Sequence, residues 1–253
     1  MFDAKSLLDQ FMGGQNQSGR QGGYHQQGFG SGAFGGGGDL LQQATNMLGG
    51  FGGGALTGGI AGLLLGSKKG RKLAGHALTY GGIAAAGALA YRAYRNYQAG
   101  KQASPAAAME APLMLPPPNT PFNPAQEADQ QSLARNLLRA MIAAAKADGH
   151  IDASEQANIF AQMDKMSVGA EDKVFVMDEL RAPLDVDAVA RCARTPEEAA
   201  ELYTVSLLAI DVDNPSERAY LALLAARLEL DDKLVAHLHA TVDGALEPVT
   251  QSA

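Results

Sequence analysis

At 253 residues, with a formal net charge of −7, the chain has room for one or two domains. Basic residues predominate before residue 127 and acids after it, and an acidic C-terminal half excludes a nucleic-acid module, which needs a basic footprint to displace counterions from phosphates. The lone Cys192 excludes an intramolecular disulfide and a thiolate metal cluster.

The opening stretch, "MFDAKSLLDQFMGG", lacks the basic and apolar regions of a secretory signal. Phe2, Leu7, Leu8 and Phe11 fall roughly on one face of a short amphipathic helix, which reads as a contact element. Residues 13–38 are Gly, Gln and Ser with scattered aromatics. Such a composition buries too little apolar surface to offset its ordering entropy, so residues 1–48 are expected to be a disordered Gly/Gln-rich region.

From residue 49 the glycine changes meaning. Gly50, Gly54, Gly58, Gly62, Gly66 and Gly70 recur every four residues, with Leu, Ile and Ala between them. That spacing lays the glycines along one helical ridge, where a second backbone can approach closely. As a helix, the uncharged run 49–66 would rise about 27 Å, near the hydrocarbon thickness of a bilayer. The basic break "SKKGRK" and a second uncharged run, 73–91, follow. Tyr91, Tyr94 and Tyr97 then interleave with Arg92 and Arg95, a combination suited to lipid headgroups. Residues 49–98 therefore read as glycine-zipper-like membrane-associated helices; a buried Gly/Ala hairpin in a protein assembly would leave a similar trace.

Residues 99–127 are Pro- and Ala-rich, and are expected to be a semi-stiff extended linker. Residues 128–250 form the folded domain. "LARNLLRAMIAAA" sets Leu133, Leu137, Leu138, Met141, Ile142 and Ala145 on one helical stripe. Further helices are expected near 153–166, 170–180, 185–193 and 232–243. "TPEE" at 195–198 and "NPSE" at 214–217 each open another, with Thr or Asn as N-cap, Pro at the first position and Glu at the third. No segment alternates with the period of a strand, so the fold class is all-α, a compact bundle of about seven helices. Cys192, in "AVARCARTP", reads as a small apolar side chain of such a helix.

Two loops of this domain look alike. "KADGHIDASE" carries Asp148, Asp152 and Glu155, and "IDVDNPSE" carries Asp211, Asp213 and Glu217. Their spacing suggests an internal pseudo-repeat of two helix–loop–helix units. Helix capping explains Asp152 with Glu155 and Asn214 with Glu217. It leaves Asp148, Asp211 and Asp213 unexplained, because negative charge is disfavoured near a helix C-terminus. A divalent cation, Ca²⁺ or Mg²⁺, would gather such oxygens. The loop is not an EF-hand, since Ile159 stands where the bidentate glutamate belongs. Both readings, capping and cation site, stay open. His237 and His239 point about 200° apart on one helix and are poorly placed to hold one ion. No nucleophile–base set and no phosphate-cradling loop between strand and helix is present, so no catalytic residue is expected.

"AAAKADGHIDASE", with its partner "LLAIDVDNPSERAYLALLAARL", resembles the tellurite-resistance TerB-like helical domain. The block "GLLLGSKKGRKLAGHALTYGGIAAAGALAYRAYRNYQ" resembles the membrane-associated part of the YebE-type bacterial proteins of unknown function. The resemblance implies a helical bundle tethered to the bacterial inner membrane, its soluble domain cytoplasmic, with metal-binding acids at Asp148, Asp152, Glu155, Asp211, Asp213 and Glu217. The second loop departs from the first in lacking its glycine and gaining Asn214-Pro215. The expected function is a non-enzymatic envelope scaffold in contact with membrane lipid and with a protein partner or further copies of itself; the alternative is a divalent-cation-binding or sensing domain.

Overall fold

The computed structural model describes residues 82–105, 113–149, 170–210, 212 and 214–246. Among these, seven helices and no strand occur, in keeping with the all-α expectation. They are α1 (Gly82–Gln98), α2 (Glu127–Ala145), α3 (Ala170–Arg181), α4 (Val186–Ala190), α5 (Pro196–Ala209), α6 (Pro215–Arg227) and α7 (Asp232–Leu246). The helix expected at 153–166 lies outside the described residues, as do the glycine ridge from Gly50 to Gly70 and everything else before residue 82.

The centre of the bundle is α5. Every residue from Glu198 to Ile210 is buried, as befits a helix apolar nearly all the way round. Its start follows the local sequence: Thr195 caps it by accepting from the Glu198 amide at 3.2 Å, and Pro196 occupies the first turn, where no amide donor is needed. Glu198 reaches one residue further back than a capping box, to the Arg194 amide at 2.8 Å. Its carboxylate also holds the Arg194 guanidinium at 2.9 Å.

On one side of α5 packs α2, through Leu133, Leu137, Leu138, Met141 and Ile142, all buried; Ala145 packs against the core at its edge. Burying a side chain of this size stabilises the fold by about 1.5–3 kcal/mol relative to exposure. Helix α3 is held to α2 by Arg139, which donates to Glu179 at 2.7 Å and lies 5.6 Å from the centre of the Phe175 ring. Lys146, just past the end of α2, donates to the carbonyls of Glu179 and Ala182 at the end of α3. It thereby satisfies acceptors that the helix leaves open. Helix α4 begins where the sequence places it, with Asp185 accepting from the Ala188 amide, but it ends at Ala190. Asn214 caps α6 by accepting from Ser216 at 2.8 Å.

The other side of α5, together with α7, is covered by α1. Of the residues 49–98 expected to form membrane-associated helices, the described ones, 82–98, pack on the bundle. Ala86, Ala88, Leu89, Ala90 and Ala93 are buried, in the same core as α2 and α5 or beside it. Small side chains bring two helix backbones close in any surroundings, so this run packs against protein as readily as it would in lipid. The tyrosines share in the contact: Tyr91 and Tyr94 stand edge-on to Phe122 at 5.5 and 5.7 Å, and Tyr97 meets His237 at 6.3 Å. At the end of α1, Gly100 takes φ 63°, Lys101 donates to the Asn96 carbonyl, and Gly100 donates to Tyr97. That pair of bonds is the glycine-terminated Schellman closure.

The described part of the Pro-rich linker is not a bare spacer either. Thr120 and Asn123 form a β-bridge, and Thr120 Oγ1 donates to the Pro117 carbonyl at 2.8 Å. The turn seats Phe122, 7% exposed, between the tyrosines of α1.

Candidate functional site

Of the six acidic residues expected to gather a cation, two are described. Asp148 follows the end of α2, exposed, with Gly149 reversing the chain at φ 130°. Glu217 lies half-buried in the first turn of α6, where its charge favours the helix dipole. Asp152, Glu155, Asp211 and Asp213 lie outside the described residues. Among the described residues, no group of three His, Cys, Asp or Glu side chains is placed to hold a metal ion.

The two histidines of α7 diverge as their spacing requires. His237 is buried, with Nε2 3.0 Å from the Lys101 carbonyl; His239 lies 2.9 Å from the Tyr203 hydroxyl on α5. Burial pushes that hydroxyl up to about 12. Cys192 is half-buried beyond α4, its thiol donating to the Ala188 carbonyl at 3.3 Å and receiving Arg139 at 3.4 Å.

Among the described residues, one buried acid stands out that the sequence pattern did not single out. Glu201 sits in the middle of α5, 0% exposed, with neither carboxyl oxygen hydrogen-bonded among the described residues. It faces Gly87 of α1. A Cβ added at Gly87 would stand 2.8 Å from Glu201 Oε1 and 3.5 Å from the Phe122 carbonyl. The absence of a side chain at 87 is therefore what makes room for the acid. Removal from water drives its pKa well above the ordinary carboxylate range, and the negative charge of Glu198 one turn earlier pushes it the same way. The signal in the sequence was a third acid, "EEAAELYTVSLLA", inside an otherwise apolar helix. Periodicity did not single it out, because surface helices carry acids at the same spacing.

These features define a class: an all-helical bundle protein whose preceding small-residue helix is docked on the bundle across a buried acid. Residues 50–242 match the family described as "Protein of unknown function (DUF533)", so the chain belongs to that family. It is also similar to an uncharacterized protein in the ampR 5′ region of Yersinia enterocolitica, 36% identical over 96 residues, covering 38% of this chain and 69% of that protein. No solved structure matches. The family match begins within the glycine ridge and runs through α1 into α7, so one family pattern covers both parts.

Proposed function

We propose that this is a non-enzymatic scaffold of the bacterial envelope, in which the glycine-ridged segment associates with the inner membrane and the TerB-like bundle, on the cytoplasmic side, presents an acidic surface to a protein partner or to further copies of the chain. The YebE-type resemblance belongs to the same reading. The observation that carries it is the docking of α1. A segment joined to a bundle through a buried helix transmits position and orientation, which a loose tether does not. Among the described residues no helix is long and apolar enough to cross a membrane, so the contact with lipid is assigned to residues 49–81, where glycines recur every four positions.

Deletion of residues 49–81, leaving α1 in place, tests the reading. The full chain is expected to float with phospholipid vesicles and the deleted chain to stay behind, its bundle still unfolding cooperatively. A full chain that stays soluble beside vesicles contradicts it. A cation site at Asp148, Asp152 and Glu155, with Asp211, Asp213 and Glu217, is the second reading, supported by the solvent-facing Asp148 at a helix end where capping gives it no role. Calorimetric titration of the full chain with Ca²⁺, Mg²⁺ and Mn²⁺, beside the Asp148→Asn/Asp211→Asn variant, tests that separately. Absence of heat and of any melting shift at about millimolar metal removes it.

A further inference from the structure

We propose that Glu201 is a protonation-controlled latch between α1 and the bundle: as the neutral acid it fits under Gly87 and α1 stays docked, and on losing its proton to solvent it forces α1 off α5. The proposal stands apart from membrane association, since both sides of the contact lie within residues 82–246.

Helices α1 and α5 approach closely enough for a carboxyl oxygen to sit where a Cβ at residue 87 would clash. The residues of α1 around that point, Ala86, Ala88, Leu89 and Ala90, are all buried and none offers a side-chain donor. The Phe122 backbone closes the space with a carbonyl, an acceptor, which cannot stabilise a carboxylate. A neutral carboxyl in this site leaves a hydroxyl unbonded, a modest cost. A carboxylate there is an unpaired buried charge, and the fold escapes that cost most simply by admitting water.

The surrounding charges do not alter this. On α5 itself, Glu197 and Glu198 are acidic, and Arg194 is committed to Glu198. Helix α1 carries Arg92 and Arg95, α2 carries Glu127, Asp129, Arg135 and Arg139, α4 carries Asp187, α6 carries Glu217, Arg218 and Arg227, and α7 carries Asp232, Lys233, His237, His239 and Asp243. None of these hydrogen-bonds to Glu201. The charged group acting on Glu201 is Glu198, and it acts against ionisation. A raised folded-state pKa favours the docked state at low pH. That preference fades as pH rises through the raised value.

The full chain serves for the test. Hydrogen exchange of the α1 amides, residues 86–98, is followed from about pH 5 to about pH 9, corrected for the intrinsic pH dependence and referred to the α2 amides. Protection of α1 is expected to fall about tenfold or more across the titration of Glu201 while α2 holds. In Glu201→Gln, protection of α1 is expected to stay constant. The wild-type chain also gives a reading that no variant can obscure, the infrared band of a protonated buried carboxyl, which is expected to vanish at the same midpoint. A flat α1 profile in the wild type overturns the latch. So does a Glu201→Gln chain that follows the wild-type profile, or loss of the carboxyl band with α1 still protected.

Discussion

Among the described residues, a single carboxyl group is buried with both of its oxygens unpartnered. Glu201 is fully buried with neither carboxyl oxygen hydrogen-bonded among the described residues, and an unpartnered polar group in such a place costs about 1–3 kcal/mol by the usual mutational measure. Methionine has nearly the same length and volume and no charge to desolvate. Glu201→Met is therefore expected to stabilise the fold, by about 1–3 kcal/mol near neutral pH. Urea unfolding across pH checks it. Above its ordinary value and below its raised one, folded Glu201 keeps a proton that the unfolded chain has lost. Wild-type stability therefore falls as pH rises through that window and is unaffected by this group below it. The variant lacks this fall. Parallel pH profiles for the two chains would remove Glu201 as the cause.

Helix ends show what sequence can and cannot determine about an element. Thr195 and Pro196 were legible because a cap acts within four residues: hydroxyl, proline and amide are all local. Thr195→Ala should cost about 1 kcal/mol in thermal or denaturant unfolding; an unchanged midpoint would mean that tertiary packing alone starts α5. At the end of α6 the local rule is broken. Glu229 adopts φ 54°, and Leu230 donates to the Ala225 carbonyl at 3.1 Å, so a glutamate stands where glycine is at ease. Glu229→Gly is expected to stabilise by up to about 1 kcal/mol, since left-handed backbone costs an L-residue about that much or more. A loss of stability on the same substitution would mean that the Glu229 side chain contributes more than its backbone strain costs. The stripe of α2 was equally legible, because five apolar side chains at helical spacing must share one face. The partner of α1 was not. Alanine and glycine satisfy lipid and protein alike, and tyrosine beside arginine suits a headgroup as well as it suits Phe122 and His237. Which surroundings such a helix finds is decided by residues distant in sequence, here on α5 and α7. Glu201 was hidden for the same reason: its burial depends on α1, more than a hundred positions earlier in the chain.

At the scale of the whole molecule, α1, grouped by composition with the glycine ridge at 49–98, packs on the bundle. The described part of the bundle takes in α1 and the Phe122 turn. Asp148 keeps its place as the exposed acid after α2. The central claim is that α1 is part of the core of the bundle, through Ala86, Leu89 and Ala93. Leu89, 1% exposed, is the largest fully buried side chain on that helix. The direct measurement is native-state hydrogen exchange on the full chain carrying Leu89→Ala, at acid pH, where the raised pKa of Glu201 favours its neutral form. The account predicts that the slowest amides of α5 lose about 2–5 kcal/mol of protection together with those of α1. If α1 alone becomes exposed to exchange and α5 keeps its wild-type protection, α1 is an appendage and the account is contradicted.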